Sequence, residues 1–323
     1  YETSWDFTQN PLIRTNQSTL QQAYTTWHTQ NTQAVADMKR LEEENNRLFI
    51  NAYGLQDELT PDVPDDQITL TRADATADSQ RLISYIIGCI MGRYSLDEQG
   101  LIYAHAGNQN FDPTRYSTFP ADDDGIVLIT DQEWFGDDAT NRIVEFIRTV
   151  WGENSLSKNL EWLADQLGTK GDTSIDRIRS YLSSQFYKDH LKTYKKRPIY
   201  WLFSSGKLKG FECLVYMHRY HVGTLARMRT DYVLPLLTKM KSEVQRFETQ
   251  KLASHSASDT KRLERQITGL NRQYEELSKF DEKLKHLADQ RISIDLDDGV
   301  KVNYSKFGDL LANVKDITGA KGD

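Results

Sequence analysis

The sequence predicts a mainly α protein of long helices, with an antiparallel coiled-coil-like hairpin and one or two small β elements. Three observations carry this. Across residues 20–52, apolar or small residues fall at Leu20, Tyr24, Trp27, Ala34, Met38, Leu41, Leu48 and Ala52. With Asn31 and Asn45 in the gaps, the seam is an unbroken 4-3-4-3, the coiled-coil spacing. Two further seams, Val233/Leu237/Met240/Val244/Phe247 and Leu263/Ile267/Leu270/Tyr274/Leu277, flank the polar stretch ASHSASD, the pattern of two helices folded back on each other. The clearest strand-like alternation lies in KKRPIYWLFSSGKLKGFECLVYMHRYH, residues 195–221, where apolar residues alternate toward a Ser/Gly/Lys turn and away from it.

The elements follow in order. The first seam predicts a helix that Gly54 stops, and LQDELTPDVPDDQITL after it reads as an extended loop with Pro61 and Pro64. Residues 78–94 predict a second helix, apolar through LISYIIGCIMG and so central to the core. Residues 97–124 read as loop and 126–129 as a short strand. Thr130 to Glu133 matches a capping box, and Asp137 is placed to cap a helix through Ile143, Phe146, Ile147 and Val150. Residues 153–167 and 174–194 predict two more helices. The second carries a polar stripe at Arg177, Tyr181, Ser184, Lys188, Lys192 and Lys195, opposite Ile175, Ile178, Leu182, Phe186 and Leu191. Strands at 199–203 and 211–217 form the hairpin. Pro235 falls near the start of the next helix, where it is tolerated or makes a kink. After Arg291 the tail predicts two short strands around an Asp-Asp-Gly turn, then a last helix. Four parts result: 1–70, a long helix and extended loop; 71–221, an α-rich core with an acidic loop and a basic β-hairpin; 222–291, an antiparallel helical hairpin; and 292–323, a β/helix tail. No internal repeat is evident.

Composition narrows the function classes. No apolar run approaches the ~18 residues a membrane span needs, and the first residues lack the basic and apolar regions of a signal peptide; the expectation is a cytoplasmic protein, starting like the middle of something longer. Cys89 and Cys213 lie in apolar runs, so free buried thiols are expected rather than a disulfide. The net charge of −7 hides an asymmetry. From Arg177 to Arg229 twelve Lys/Arg face only Asp189 and Glu212, while residues 97–138 carry ten Asp/Glu against Arg115 alone. Such a split predicts a polyanion-facing side, or else two segments that pair with each other.

Catalytic motifs are missing. There is no glycine loop for S-adenosylmethionine, no N/D-P-P-Y/F turn, no phosphate loop, no G-x-S-x-G, no H-E-x-x-H and no nuclease-like acidic pair with a trailing Lys. Asp122, Asp123, Asp124, Asp131 and Glu133 form an acidic cluster that would attract a cation, but three adjacent acids before a glycine also make a solvated turn. His218 and His221 have no third ligand. No metal site is expected.

The blocks EENNRLFINAYGLQDELTPDVP, GRYSLDEQGLIYA, DDDGIVLITDQEWFGDD, FYKDHLKTYKKRPIYWLFSSGK and LVYMHRYH, with SWDF…PLI near the start and DDGVKVNYSKF near the end, span nearly the whole chain. They resemble the C-terminal part of PglX, the large adenine-specific DNA methyltransferase of the BREX phage-exclusion systems. The resemblance implies a parent enzyme that marks host DNA by N6-methylation of adenine with S-adenosyl-L-methionine. It implies an upstream methyltransferase domain of the same protein and other BREX proteins as partners. It carries over no catalytic residue and no cofactor site to this chain, since the family's cofactor and N-P-P-Y motifs have no counterpart here.

Two functions compete on this sequence. The first is a non-catalytic module that supports DNA binding and target recognition, gripping double-stranded DNA through Arg177, Lys188, Lys192, Lys195, Lys196, Arg197, Lys207, Lys209, Arg219, Arg227 and Arg229. The second is a helical scaffold that docks the methylase core or another BREX subunit, with Asn31 and Asn45 fixing register unless that helix packs on the C-terminal hairpin. Tyr200, Trp201 and Phe203 would suit base stacking, but their alternation with Leu202 predicts packing instead. An independent enzyme has little support.

Overall fold

The computed structural model describes residues 2–319. Its helices are α1 (Pro11–Arg14), α2 (Leu20–Tyr53), α3 (Ala75–Ile90), α4 (Ala139–Trp151), α5 (Leu156–Leu167), α6 (Ser174–Tyr181, continuing through Leu182–Phe186 to Tyr187–Thr193), α7 (Thr224–Arg227, through Met228–Val233 to Leu234–Ala253), α8 (Ala257–Asp289), α9 (Gly299–Ser305) and α10 (Val314–Thr318). One antiparallel sheet joins β1 (Ile126–Leu128), β2 (Tyr200–Ser204) and β3 (Glu212–Tyr216) in the order β1-β3-β2. The mainly α prediction is met.

Local chemistry sets the helix ends. The Thr19 hydroxyl accepts the Gln22 amide (3.3 Å), and Gly54 closes α2 in the left-handed region at φ 68°. Asp74 caps α3 through the Ala77 amide (2.7 Å). Asp138, not Asp137, caps α4 through the Asn141 amide (3.0 Å), and Glu133 accepts from the Asn141 side chain. The tail departs from expectation: instead of two strands, a 3-10 turn (Leu296–Asp298) leads straight into α9. There the Asn303 amide side chain reaches the Asp295 and Gly299 carbonyls, and Tyr304 packs under Trp201.

The core centres on α3, α4 and α5 with the sheet, and every residue of β2 and β3 is buried. Trp201 and Phe203 meet Tyr304 and Phe307 on one face of the hairpin, with ring centroids 5.6–5.7 Å apart. Tyr200 lies against His190 and Tyr216 on the other. The hairpin aromatics are therefore core, as their alternation predicted. The third strand was not foreseen as a partner: β1 pairs with β3 through Ile126–Val215, Val127–Leu214 and Leu128–Cys213. Both cysteines are free and buried.

α7 and α8 form the antiparallel hairpin. Leu263, Leu270, Leu277 and Leu284, each seven residues on, are buried on α8, as are Val233, Leu236 and Met240 on α7, and the two helices pack against each other. α2 packs on α1 and α5 rather than on this hairpin. The loop after α2 folds back along one of its faces. Asn31 accepts from the Ala73 amide (2.7 Å) and donates to the Thr71 carbonyl (2.9 Å), Lys39 pairs with Asp65 (2.7 Å), and Asn46 donates to the Pro61 carbonyl (3.2 Å). Asn31 therefore holds the chain's own loop, and no partner helix. Ile50, Val63 and Ile68 are buried under this strap.

Candidate nucleic-acid interface

α6 starts on a capping box in which the Thr173 hydroxyl accepts the Asp176 amide and the Asp176 carboxylate accepts the Thr173 amide, each at 3.1 Å. It buries Ile178, Tyr181, Leu182, Phe186, Tyr187, His190 and Leu191. The adjacent pairs Tyr181/Leu182 and Phe186/Tyr187 bracket a π-helical stretch, Leu182–Phe186, where one extra residue resets the register. Tyr181 thus leaves the polar stripe for the core, and Lys188 and Lys192 emerge together on the far side of the reset, four residues apart and exposed. The helix ends at Thr193. Lys195 is corrected off the stripe: it and Lys196 lie in a turn beyond the helix, both left-handed at φ 51° and 60°, with the Lys196 amide on the Leu191 carbonyl (2.7 Å). His190 anchors this turn to the sheet by accepting the Ile199 and Tyr200 amides at 3.2 Å each, and burial, helped by the Arg93 charge, holds its pKa down at about 3.

The twelve basic residues divide into two sets. Five are ion-paired within the protein, and a sixth, Arg219, is buried among neutral acceptors. Arg177 pairs with Asp165 and Arg179 with buried Asp138; Lys209 meets Glu212 (3.2 Å) and the Ser183 carbonyl. Arg227 meets Asp124 (3.3 Å) and Asp231 (3.2 Å), and Arg229 grips Asp281 through two nitrogens (2.7 and 3.1 Å). Arg219 is only 1% exposed, so it has no reach to a phosphate, which corrects its place in the predicted set. Its guanidinium donates to the Asn108 side chain (3.1 Å) and to the Asp122 and Asp123 carbonyls, and lies 3.8 Å over the Phe111 ring. Arg179, Arg219 and Arg227 all end on the acidic segment, so pairing between the two segments accounts for part of the asymmetry.

Lys188, Lys192, Lys195, Lys196, Arg197 and Lys207 remain, all exposed and without an ion pair among the described residues. Lys188, Lys207 and Lys209 line a groove of about 390 Å³ between α6, the β2–β3 turn and Asp309–Asn313, together with Glu212. Lys195, Lys196 and Arg197 line a second, of about 640 Å³, beside Lys301, Asp298 and Asp316. The β2–β3 turn is held from α8: Glu276 accepts from the Ser205 hydroxyl (3.0 Å) and the Leu208 amide (2.9 Å), and Gln273 donates to the Leu208 carbonyl (3.0 Å). Exposed cations of this kind suit phosphate contacts, which position a protein without reading sequence.

The acidic cluster serves the fold. Asp122 accepts the Asp124 (3.1 Å) and Gly125 (2.7 Å) amides, and Asp124 accepts the Ile126 amide (2.8 Å) and the Tyr232 hydroxyl (2.9 Å). Among the described residues no group of three or more His, Cys, Asp or Glu is arranged around a metal position. His221 instead accepts the Gly223 amide (3.1 Å). Among the described residues all three strands are antiparallel, so none of them opens the strand–loop–helix crossover in which a glycine loop would hold S-adenosylmethionine. Burial and the neighbouring Asp124 push the Asp122 pKa up to about 7. The folded protein therefore holds a proton that the unfolded chain loses near pH 4, and this site contributes less stability as pH rises from about 4 to 7. Asp122→Asn is expected to raise the melting temperature over the parent at pH 8 and by much less at pH 5. Thermal unfolding at both values checks this, and a pH-independent difference would be the wrong result.

No family model matches the chain. Among curated proteins, it is 46% identical over 347 aligned residues to the adenine-specific methyltransferase BrxX of Escherichia coli O9:H4 (strain HS), an alignment covering 99% of this chain and 28% of that protein. It is 41% identical over 315 residues to the adenine-specific methyltransferase PglX of Lacticaseibacillus casei (strain Zhang), covering 95% of this chain and 26% of that one. The chain thus spans about a quarter of the length of these relatives, a share consistent with a C-terminal region. The resemblance carried by the sequence blocks holds almost from end to end: nearly the whole chain is similar to about a quarter of each of these two adenine-specific methyltransferases.

Proposed function

We propose that the chain is a non-catalytic C-terminal module of a BREX adenine-specific (N6) DNA methyltransferase, supporting DNA binding and target recognition through a basic surface. The observation that carries this reading is the set of six exposed, unpaired Lys/Arg between the end of α6 and the β2–β3 turn, in a chain whose other cations in that block are ion-paired or, for Arg219, buried. Their partner is double-stranded DNA. S-adenosyl-L-methionine and the chemistry belong to the methyltransferase domain of the same cytoplasmic enzyme, acting with other BREX proteins in phage defence. A second reading, a helical scaffold without DNA contact, is favoured by the apolar residues left exposed on α2.

Duplex binding by the purified chain separates the two. If the six cations each neutralise one phosphate, the log–log plot of affinity against salt has a slope of roughly −5. Fluorescence anisotropy from 50 to 200 mM salt is expected to give a slope of that order, with little dependence on duplex sequence. A slope near zero, or no binding at 50 mM, would favour the scaffold.

A further inference from the structure

The distal half of α2 offers two faces. One is strapped by the chain's own loop through Lys39, Glu43, Asn46 and Ile50. The other carries Met38, Leu41 and Leu48 at 37%, 52% and 65% exposure, with Asn45 and Ala52 completing the heptad seam in solvent. We propose that this seam receives an amphipathic helix of a partner protein, with Leu or Ile along its apolar stripe, an amide side chain opposite Asn45 and Lys or Arg on both flanks. This is independent of the DNA reading.

The physical case is register and charge. Met38, Asn45 and Ala52 take the first core position of successive heptads, and Leu41 and Leu48 take the second. The flanking positions that face a second helix hold Asp37 and Glu44 on one side and Glu42 and Phe49 on the other; Glu44 is already paired with Arg40 (3.3 Å), and Asp37 and Glu42 are the flank acids without an ion pair among the described residues. Acid on both flanks selects a basic partner. It also disfavours a second copy of this chain, because parallel self-pairing sets Asp37 against Glu42 twice. A seam broken by Asn45 and small Ala52 is less apolar than a permanent interior, which fits association with a separate protein.

The test uses a labelled synthetic helix of about four heptads, with Leu/Ile core positions, one central Asn and Lys at the flanks, and a twin with Glu at the flanks. Fluorescence anisotropy against this chain, and against the full-length protein, is expected to show the Lys-flanked peptide binding at least tenfold tighter. Leu41→Asp with Leu48→Asp should abolish binding at an unchanged melting temperature, since both side chains are exposed. Asp37→Lys with Glu42→Lys should shift the preference toward the Glu-flanked peptide. Equal binding of both peptides, or binding of neither, overturns the proposal. A dimer in sedimentation that Leu41→Asp dissolves assigns the seam to a second copy and overturns it. So does peptide binding by this chain but not by the full-length protein, which places the occupant in the same polypeptide.

Discussion

Lys188→Glu combined with Lys192→Glu in the full-length enzyme is expected to weaken duplex DNA binding by one to two orders of magnitude near 50 mM salt. Both side chains are exposed on the last turns of α6, four residues apart, and neither has an ion pair among the described residues. Reversal therefore removes two phosphate contacts and adds two repulsions without disturbing packing. Each lost contact should flatten the salt slope by roughly 0.9, so the gap between variant and parent narrows as salt rises. The methylation motif should stay the same, because phosphate contacts position the protein without reading bases. Electrophoretic shifts at two salt concentrations, with methylation mapping, check both parts. A changed motif would mean that these lysines read bases; unchanged affinity at low salt would leave the scaffold as the function.

Arg219→Met is expected to cost about 3–5 kcal/mol of stability and to lower the melting temperature by roughly 10 °C. Methionine roughly fills the space but strands the Asp122 and Asp123 carbonyls and the Asn108 amide oxygen, which now accept from the guanidinium. Hydrogen bonds from a charged donor are worth about 1.5–3 kcal/mol each, and the stacking on Phe111 is lost as well. Arg219→Lys should recover only part of this, because one ammonium cannot span three acceptors. DNA affinity per folded molecule should not change. Thermal unfolding and binding measured together decide it: melting within two degrees of the parent would show that the guanidinium does not organise the acidic loop.

The sequence disclosed what is periodic and local. Seams seven residues apart in α8, the glycine stop after α2 and the alternation in β2 and β3 each rest on a few neighbouring side chains. Adjacent acids defeated the cap of α4, since Asp137 and Asp138 are chemically equal and only the buried face of the helix chooses between them. The tail misled because Val300 and Val302 alternate with polar residues at the strand period, whereas Asn303 and Tyr304 gain buried partners only as a helix. Charge was the least legible. Arg219 and Lys188 read alike in a basic block, and only the long-range fold shows that one lies over Phe111 and the other faces water. The same holds for Asn31, whose place in a heptad seam concealed a role in holding the loop from Thr71 to Ala73.

The π-helical stretch Leu182–Phe186 carries a consequence for how this region tolerates insertions and deletions. It is, in effect, a single inserted residue absorbed by widening one turn. Tightening that turn to α geometry with all its residues kept would swing everything after it by about 100°. Tyr187, His190 and Leu191 would rotate out of the core while Lys188 and Lys192 turned inward, so the cationic edge depends on the wide turn being kept. Deleting one residue within the stretch removes the need for the wide turn and leaves the same side chains on the same faces, so a related chain one residue shorter there would present the same edge on an uninterrupted helix.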